Sequence, residues 1–321
     1  LLSKSKLGAD GVAALREAEV SVDSTNVPAL SLSVDSYLPS RLESLRHTQN
    51  PDGGWGYFPG KESWLEPTAY AALALHGEPA ADRAWKLLSS WQLPDGSWRP
   101  SAAVDVPSWG TSLCVSIAVA RQEWGTPLER GVNWLVETSG MESQWLSVLA
   151  SRIGLVKRDR DVSLKAWPWK PDNAGWVEPT VHALIALKQA SARISRSDMR
   201  QRIQMGEAQL LDVRSHDGGW NYGSPSALGV DLPSYPETTA LALVGLQGRT
   251  DLANAFDLVE RQMRETPSPL ARAWLTVAMR LHGMEPPAPS GGVTTDVMIT
   301  AVEALAAPQG NHKLLKAGGN V

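Results

Sequence analysis

Three glutamates, Glu66, Glu178 and Glu237, each stand two residues before a threonine (Thr68, Thr180 and Thr239), and two residues after those threonines stand Tyr70, His182 and Leu241. In a helix, positions i and i+4 are neighbours, so Glu66 with Tyr70 and Glu178 with His182 share one face. Aromatic residues accompany them: Trp64, Trp176 and Tyr235 lie four before the threonines, and Trp109 takes the glutamate's place before Thr111. A carboxyl kept out of water holds its proton and can give it to an alkene, and ionised carboxylates beside aromatic faces can instead bind a cation. These residues are the candidate site, with Glu178, His182, Glu66, Tyr70 and Glu237 for catalysis and Trp64, Trp109, Trp176 and Tyr235 for ligand contact. The competing structural reading is that each glutamate serves a helix N-terminus and each Trp packs beneath a turn. Glu178 with His182 is the pair most worth testing.

The elements that must position them repeat along the chain. From each threonine, counting 68, 111, 180 and 239, residues at +3, +4 and +7 are apolar or small: Ala71, Ala72 and Leu75 in the first copy, and Cys114, Val115 and Ala118 in the second. That is the spacing of one buried helix face. Upstream come the turns Asp52-Gly-Gly-Trp55, Asp95-Gly-Ser-Trp98 and Asp217-Gly-Gly-Trp220, whose glycines accept positive φ. Trp167 stands nine residues before Trp176, as Trp55 does before Trp64. With 14 Trp against 2 Phe, tryptophan is used by position and not as generic core.

Between the units lie amphipathic segments, 37–48, 80–91, 127–138, 195–212 and 251–264, in which charges alternate with apolar residues at helical spacing. Inner candidates with weaker patterns are 142–156 and 269–283, and 294–307 completes the set. About six apolar and six amphipathic helices are best satisfied by two concentric layers closed into a ring. The expected organisation is an N-terminal arm over 1–35, an all-α ring over 36–307 as a single domain, and a C-terminal tail over 308–321.

Composition excludes several classes. A net charge of -4 without a long basic block argues against nucleic acid, and one cysteine excludes an internal disulfide and a Cys-rich zinc site. No apolar run approaches the roughly 20 residues of a spanning helix, so a cytoplasmic, at most membrane-peripheral, location is expected. The chain begins Leu-Leu and is read as trimmed or processed at its start. No cofactor and no metal are called for. The Asp159-Arg-Asp161 run sits in a mixed-charge connection and reads as a solvated loop.

Gln49 with Asp52-Gly-Gly-Trp55, Gln92 with Asp95-Gly-Ser-Trp98, and Gln209 with Asp217-Gly-Gly-Trp220, each followed by a Thr-headed apolar helix, resemble the QW-type repeats of the squalene-hopene cyclase and protein prenyltransferase β-subunit superfamily. The resemblance covers most of 36–307 and implies an α/α toroid of about six helical hairpins. It also implies a central cavity for an isoprenoid-like hydrophobic ligand. The family's chemistry does not carry over: no Asp-x-Asp-Asp-Thr motif and no Asp-Asp-rich magnesium motif occurs, and the sole thiol, Cys114, holds the small-residue position. The leading expectation is an isoprenoid-binding protein, in its enzymatic form an atypical cyclase that protonates through Glu. The alternatives are a non-catalytic binding or scaffold protein on the same fold, and a carbohydrate-active (α/α)6 barrel.

Overall fold

The computed structural model describes residues 34–143, 149, 161–227 and 230–318. Among these, eleven α-helices follow in order: α1 Val34–Thr48, α2 Leu65–Ala74, α3 Pro79–Ser89, α4 Thr111–Ala120, α5 Thr126–Glu137, α6 Val177–Ala190, α7 Ser197–Asp212, α8 Pro236–Gly245, α9 Ala253–Glu265, α10 Pro269–Leu281 and α11 Val297–Ala306. The expected helix over 142–156 lies largely outside the described residues; its first residues belong to a 3₁₀ turn, Met141–Ser143.

Two kinds of helix build two layers. All ten residues of α4 and nearly all of α2 and α8 are buried, whereas α3 and α9 bury one face and wet the other. A helix apolar all round needs neighbours on every side. Accordingly α2, α4, α6, α8, α10 and α11 pack each on the next, and α11 packs back on α2, closing an inner ring. Outside it, α3 lies on α2, α5 on α4, α7 on α6, α9 on α8 and α1 on α11. The chain is an α/α toroid. No helix among the described residues is long and apolar enough to cross a membrane.

The same bonds recur at each unit. The indole N–H of Trp55, Trp98, Trp167 and Trp220 donates to the carbonyl of Leu45, Leu88, Leu135 and Leu210. The backbone N–H of the same four residues donates to the hydroxyl of Thr68, Thr111, Thr180 and Thr239. Each anchor thus ties the end of an outer helix to the start of an inner one while its own polar groups stay satisfied. The longer interval in the last copy accommodates a short antiparallel ribbon, β1 Ser226–Ala227 with β2 Val230–Asp231.

The glutamines divide. Gln49 and Gln92 donate to the carbonyls of Gly53 and Gly96 and also to those of Ala80 and Pro127 at the next outer helix. In the third copy that place belongs to Arg214, which donates to the Gly218 carbonyl and lies over the Trp220 ring. Gln209, expected to fill it, is instead buried inside α7 one turn earlier. Counting back three residues from each turn aspartate, and not searching for the nearest Gln, gives the right register.

Candidate functional site

Within the inner layer, α2, α4, α6 and α8 follow Trp-containing turns, α10 follows an outer helix and α11 follows the return segment 282–296, so the N-termini of these helices share one end of the ring, here called the mouth. Four bonds stitch it. The N–H of Leu65, Trp109, Val177 and Val297 donates to the carbonyl of Pro100, Trp169, Tyr222 and Tyr57, respectively. Every acceptor but Tyr57 belongs to the loop that follows in the ring, and Tyr57 closes the circle from the last inner helix to the first loop. Each acceptor is the second residue after an anchor tryptophan, and these bonds satisfy amides that a helix start leaves without partners.

The three glutamates converge here from the first turns of α2, α6 and α8. Burial pushes the Glu178 carboxyl well above the usual carboxylate range, and the charges of Glu66 and Glu237 add to the effect. Glu66 is raised by burial too, with Asp296 and Glu237 reinforcing the shift and a short hydrogen bond from the Tyr57 hydroxyl opposing it. Burial alone raises Glu237. The positive ends of the helices favour the ionised forms and limit the rise. Neither Glu178 nor Glu237 has a hydrogen-bond partner among the described residues, and none of the three caps its helix by a side-chain bond. Protons are therefore retained at the mouth at pH values where a surface glutamate has lost them.

Aromatic rings wall the mouth. Trp109 meets Trp169 edge-on at 5.1 Å between centroids, Tyr222 lies against Tyr235 at 5.1 Å, and Tyr57 leans on Trp64 at 6.3 Å. Trp176, Tyr222 and Tyr235 are each 40–45% exposed, unusual for rings of this size. Tyr57, Trp169 and Tyr222 did not emerge from the sequence as site residues. Their signal is the spacing Trp-x-aromatic in Trp55-Gly-Tyr57, Trp167-Pro-Trp169 and Trp220-Asn-Tyr222.

Below the mouth the axis is filled. Tyr70 from α2, His182 from α6 and Trp274 from α10 form a triangle with centroid distances of 5.9, 5.7 and 5.9 Å, all three residues at most 2% exposed. The three helices alternate around the ring, so each supplies one edge of a plug. Tyr70 and His182 thus come together, but with each other; Trp109 sits 5.3 Å from His182 on top. Burial lowers the His182 pKa to about 3, which keeps the ring neutral at ordinary pH. Residues 308–318, set apart as a tail in the sequence, lie against the opposite end of the ring. Asn311 donates to the carbonyls of Leu73 and Ala74 at the end of α2, Gln189 to those of Leu314 and Lys316, and Leu315 is 1% exposed. An open apolar lumen is therefore not what the ring encloses at the depth of the plug. Cys114 is fully buried with a thiol driven upward by burial, as its small-residue position in α4 requires. Among the described residues no group of His, Cys, Asp and Glu is placed to hold a metal ion.

No family model matches the chain. Over 105 residues it is 37% identical to drimenyl diphosphate synthase from Streptantibioticus cattleyicolor, a match covering 29% of this chain and 20% of that protein. The chain thus spans about a fifth of the length of the curated relative it matches. In fold it is similar to the type II terpene cyclase MstE from Scytonema in complex with its substrate geranylgeranyl dihydroxybenzoate, at a TM-score of 0.50 and 15% identity over 85% of this chain and 76% of that one. It is similar also to the endoglucanase Cel10, a family 8 glycosyl hydrolase from Klebsiella pneumoniae, at a TM-score of 0.56 and 14% identity over 84% and 97%. The class defined by these likenesses is the α/α toroid, a fold shared by terpene cyclases and glycosyl hydrolases. At such identities the solved structures speak for the fold alone.

Proposed function

We propose that the mouth binds an isoprenoid-like hydrophobic molecule and that Glu178 acts on it as a Brønsted acid. The observation that carries this reading is the convergence of three proton-retaining carboxyls with an aromatic wall above a closed floor. In the proposed step the O–H of Glu178 breaks as its proton adds to an alkene carbon. The π pair forms the new C–H bond and leaves a carbocation on the adjacent carbon. The faces of Trp109, Trp169 and Tyr222 supply the electron density that stabilises such a cation. The Glu178 carboxylate left by that step then takes a proton from a neighbouring carbon, restoring both a double bond and the acid. His182 and Tyr70 are positioning residues in this scheme.

The filled axis favours a second reading, binding without turnover, because a long chain finds no depth below the plug. Incubation with squalene and with polyprenyl diphosphates, followed by solvent extraction and native mass spectrometry, separates the two. Turnover that falls at least roughly a hundredfold in Glu178→Gln supports the acid role, the usual scale of such catalysis. Bound lipid with no product in either protein supports the second reading. Neither lipid nor product across the panel sinks both, and retention of an oligosaccharide instead would point to the glycosidase-like members of the fold.

A further inference from the structure

Among the described residues, the alternation of inner and outer helices lapses between α10 and α11. Between α10 and α11 no outer helix stands; the chain returns through residues 282–296, and Pro287, Pro289, Gly291 and Gly292 form a strap over the gap. A cleft of about 430 Å³ remains beneath it, within the range of small-molecule sites. Its walls come from α1, the end of α9 with the turn after it, α10, α11 and the strap.

A buried ion pair forms the floor. Arg41, fully buried, donates from Nε to Glu303 at 3.1 Å and from Nη2 to the carbonyls of Gly291 and Gly292 at 3.0 and 3.1 Å. Its guanidinium also lies 3.5 Å from the centre of the Tyr37 ring. Arg41 is thereby spent on holding the strap, and Glu303 is neutralised by it. Arg272 is different. It lines the same cleft, uses Nη1 on the Met263 carbonyl at 2.8 Å, and has no carboxylate partner among the described residues. It lies close enough to the Tyr37 hydroxyl to act on it electrostatically. The Tyr37 hydroxyl is turned to Glu303, so the cleft offers one uncompensated cation, Arg272, between walls of proline and alanine.

We infer that this cleft is a second binding site, for a small monocarboxylate with an apolar body. Arg272 donates to its carboxylate, the fork of the guanidinium matching the two oxygens, and the prolines take the body. With the Arg41–Glu303 pair compensated, the single free charge of Arg272 matches a singly charged anion. The inference is independent of the chemistry proposed at the mouth.

Titration of the full chain with benzoate and with hexanoate, followed by calorimetry and amide chemical shifts, tests it, with benzamide as the uncharged control. Saturable binding is expected for the carboxylates, with shifts at Thr276, Ser290 and Gly291. The affinity should fall at least roughly tenfold in Arg272→Gln, as loss of charge-assisted hydrogen bonds requires. Glu237→Gln, at the mouth, should leave it unchanged. Circular dichroism of each variant guards against a folding defect. Equal binding of benzamide, shifts that map to the mouth, or no saturable binding of either carboxylate up to about 10 mM would overturn the inference.

Discussion

Tyr70 on α2 and His182 on α6 share a 2.9 Å hydrogen bond across the ring, inside a triangle of aromatic side chains that excludes water. The bond joins helices that are not adjacent in the inner layer, so it braces the ring along a chord. Removing the hydroxyl in Tyr70→Phe leaves the imidazole nitrogen bare and should cost about 1–3 kcal/mol. Trp274→Ala, which opens a void at the third corner, should cost about 3–5 kcal/mol. Urea unfolding followed by far-UV circular dichroism measures both, and a smaller loss for Trp274→Ala than for Tyr70→Phe would mean that the plug is loosely packed.

The titration of buried His182 and of half-buried Glu178 sets opposite slopes of stability with pH. His182 has a folded pKa of about 3, below its ordinary value of 6.5. The unfolded chain therefore binds the extra proton first, and stability is lost as pH falls from about 6.5 toward about 3. Glu178 has a folded pKa above the ordinary 4.5, so its ionisation costs stability as pH rises above 4.5. His182→Gln should flatten the acid limb, and Glu178→Gln should raise stability at pH 7 by about 1–3 kcal/mol. Thermal unfolding across pH 3 to 8 would show both; a Glu178→Gln protein less stable than the parent at pH 7 would contradict the burial argument.

The threonine at each helix start is a hydrogen-bond acceptor before it is a helix residue. Thr68→Val, nearly isosteric, should cost about 1–3 kcal/mol by orphaning the Trp55 N–H, and Thr68→Ser much less. By the same logic Arg214→Gln, which restores the residue type found at 49 and 92, should stay within about 0.5 kcal/mol of the parent. Chemical denaturation of the three variants side by side provides the comparison.

Two glycines with positive φ separate backbone strain from steric contact. At Gly53, φ is 93° and an added Cβ would lie 2.8 Å from the Arg83 carbonyl oxygen; at Gly60, φ is 74° with nothing within 4 Å. Gly60→Ala should cost about 1–2 kcal/mol, the strain alone, and Gly53→Ala distinctly more. Equal midpoints for the two in guanidinium would show that the outer helix shifts to admit the methyl.

Much of this architecture is written in the chain because the repeat obeys local rules. The Asp-Gly-Gly-Trp turns, the proline-started helices and the apolar faces after Thr68, Thr111, Thr180 and Thr239 all follow from turn chemistry and periodicity. The segment 269–283 had only a partial pattern, for a physical reason: no outer helix follows α10, and Arg272, Thr276 and Arg280 keep one face polar. At the site, the glutamates' common end was legible from register. The Tyr70-His182-Trp274 triangle was not, since Trp274 lies outside the aligned repeats and which helices face one another across a ring depends on how it closes. The packing of Asn311–Leu315 was hidden likewise, because a short segment with two leucines carries no periodicity to read.

The bond from Val297 N–H to the Tyr57 carbonyl, together with the Arg41–Glu303 pair, joins the last helix of the ring to the first loop and first helix of the described chain. A linear stack of repeats frays from its ends, each terminal unit leaving at the cost of one interface. Here no unit is terminal. Any hairpin that departs must break contacts on both flanks at once, so this molecule should melt as one cooperative unit, with slow amide exchange as uniform around the circumference as in a barrel that has no edge strand.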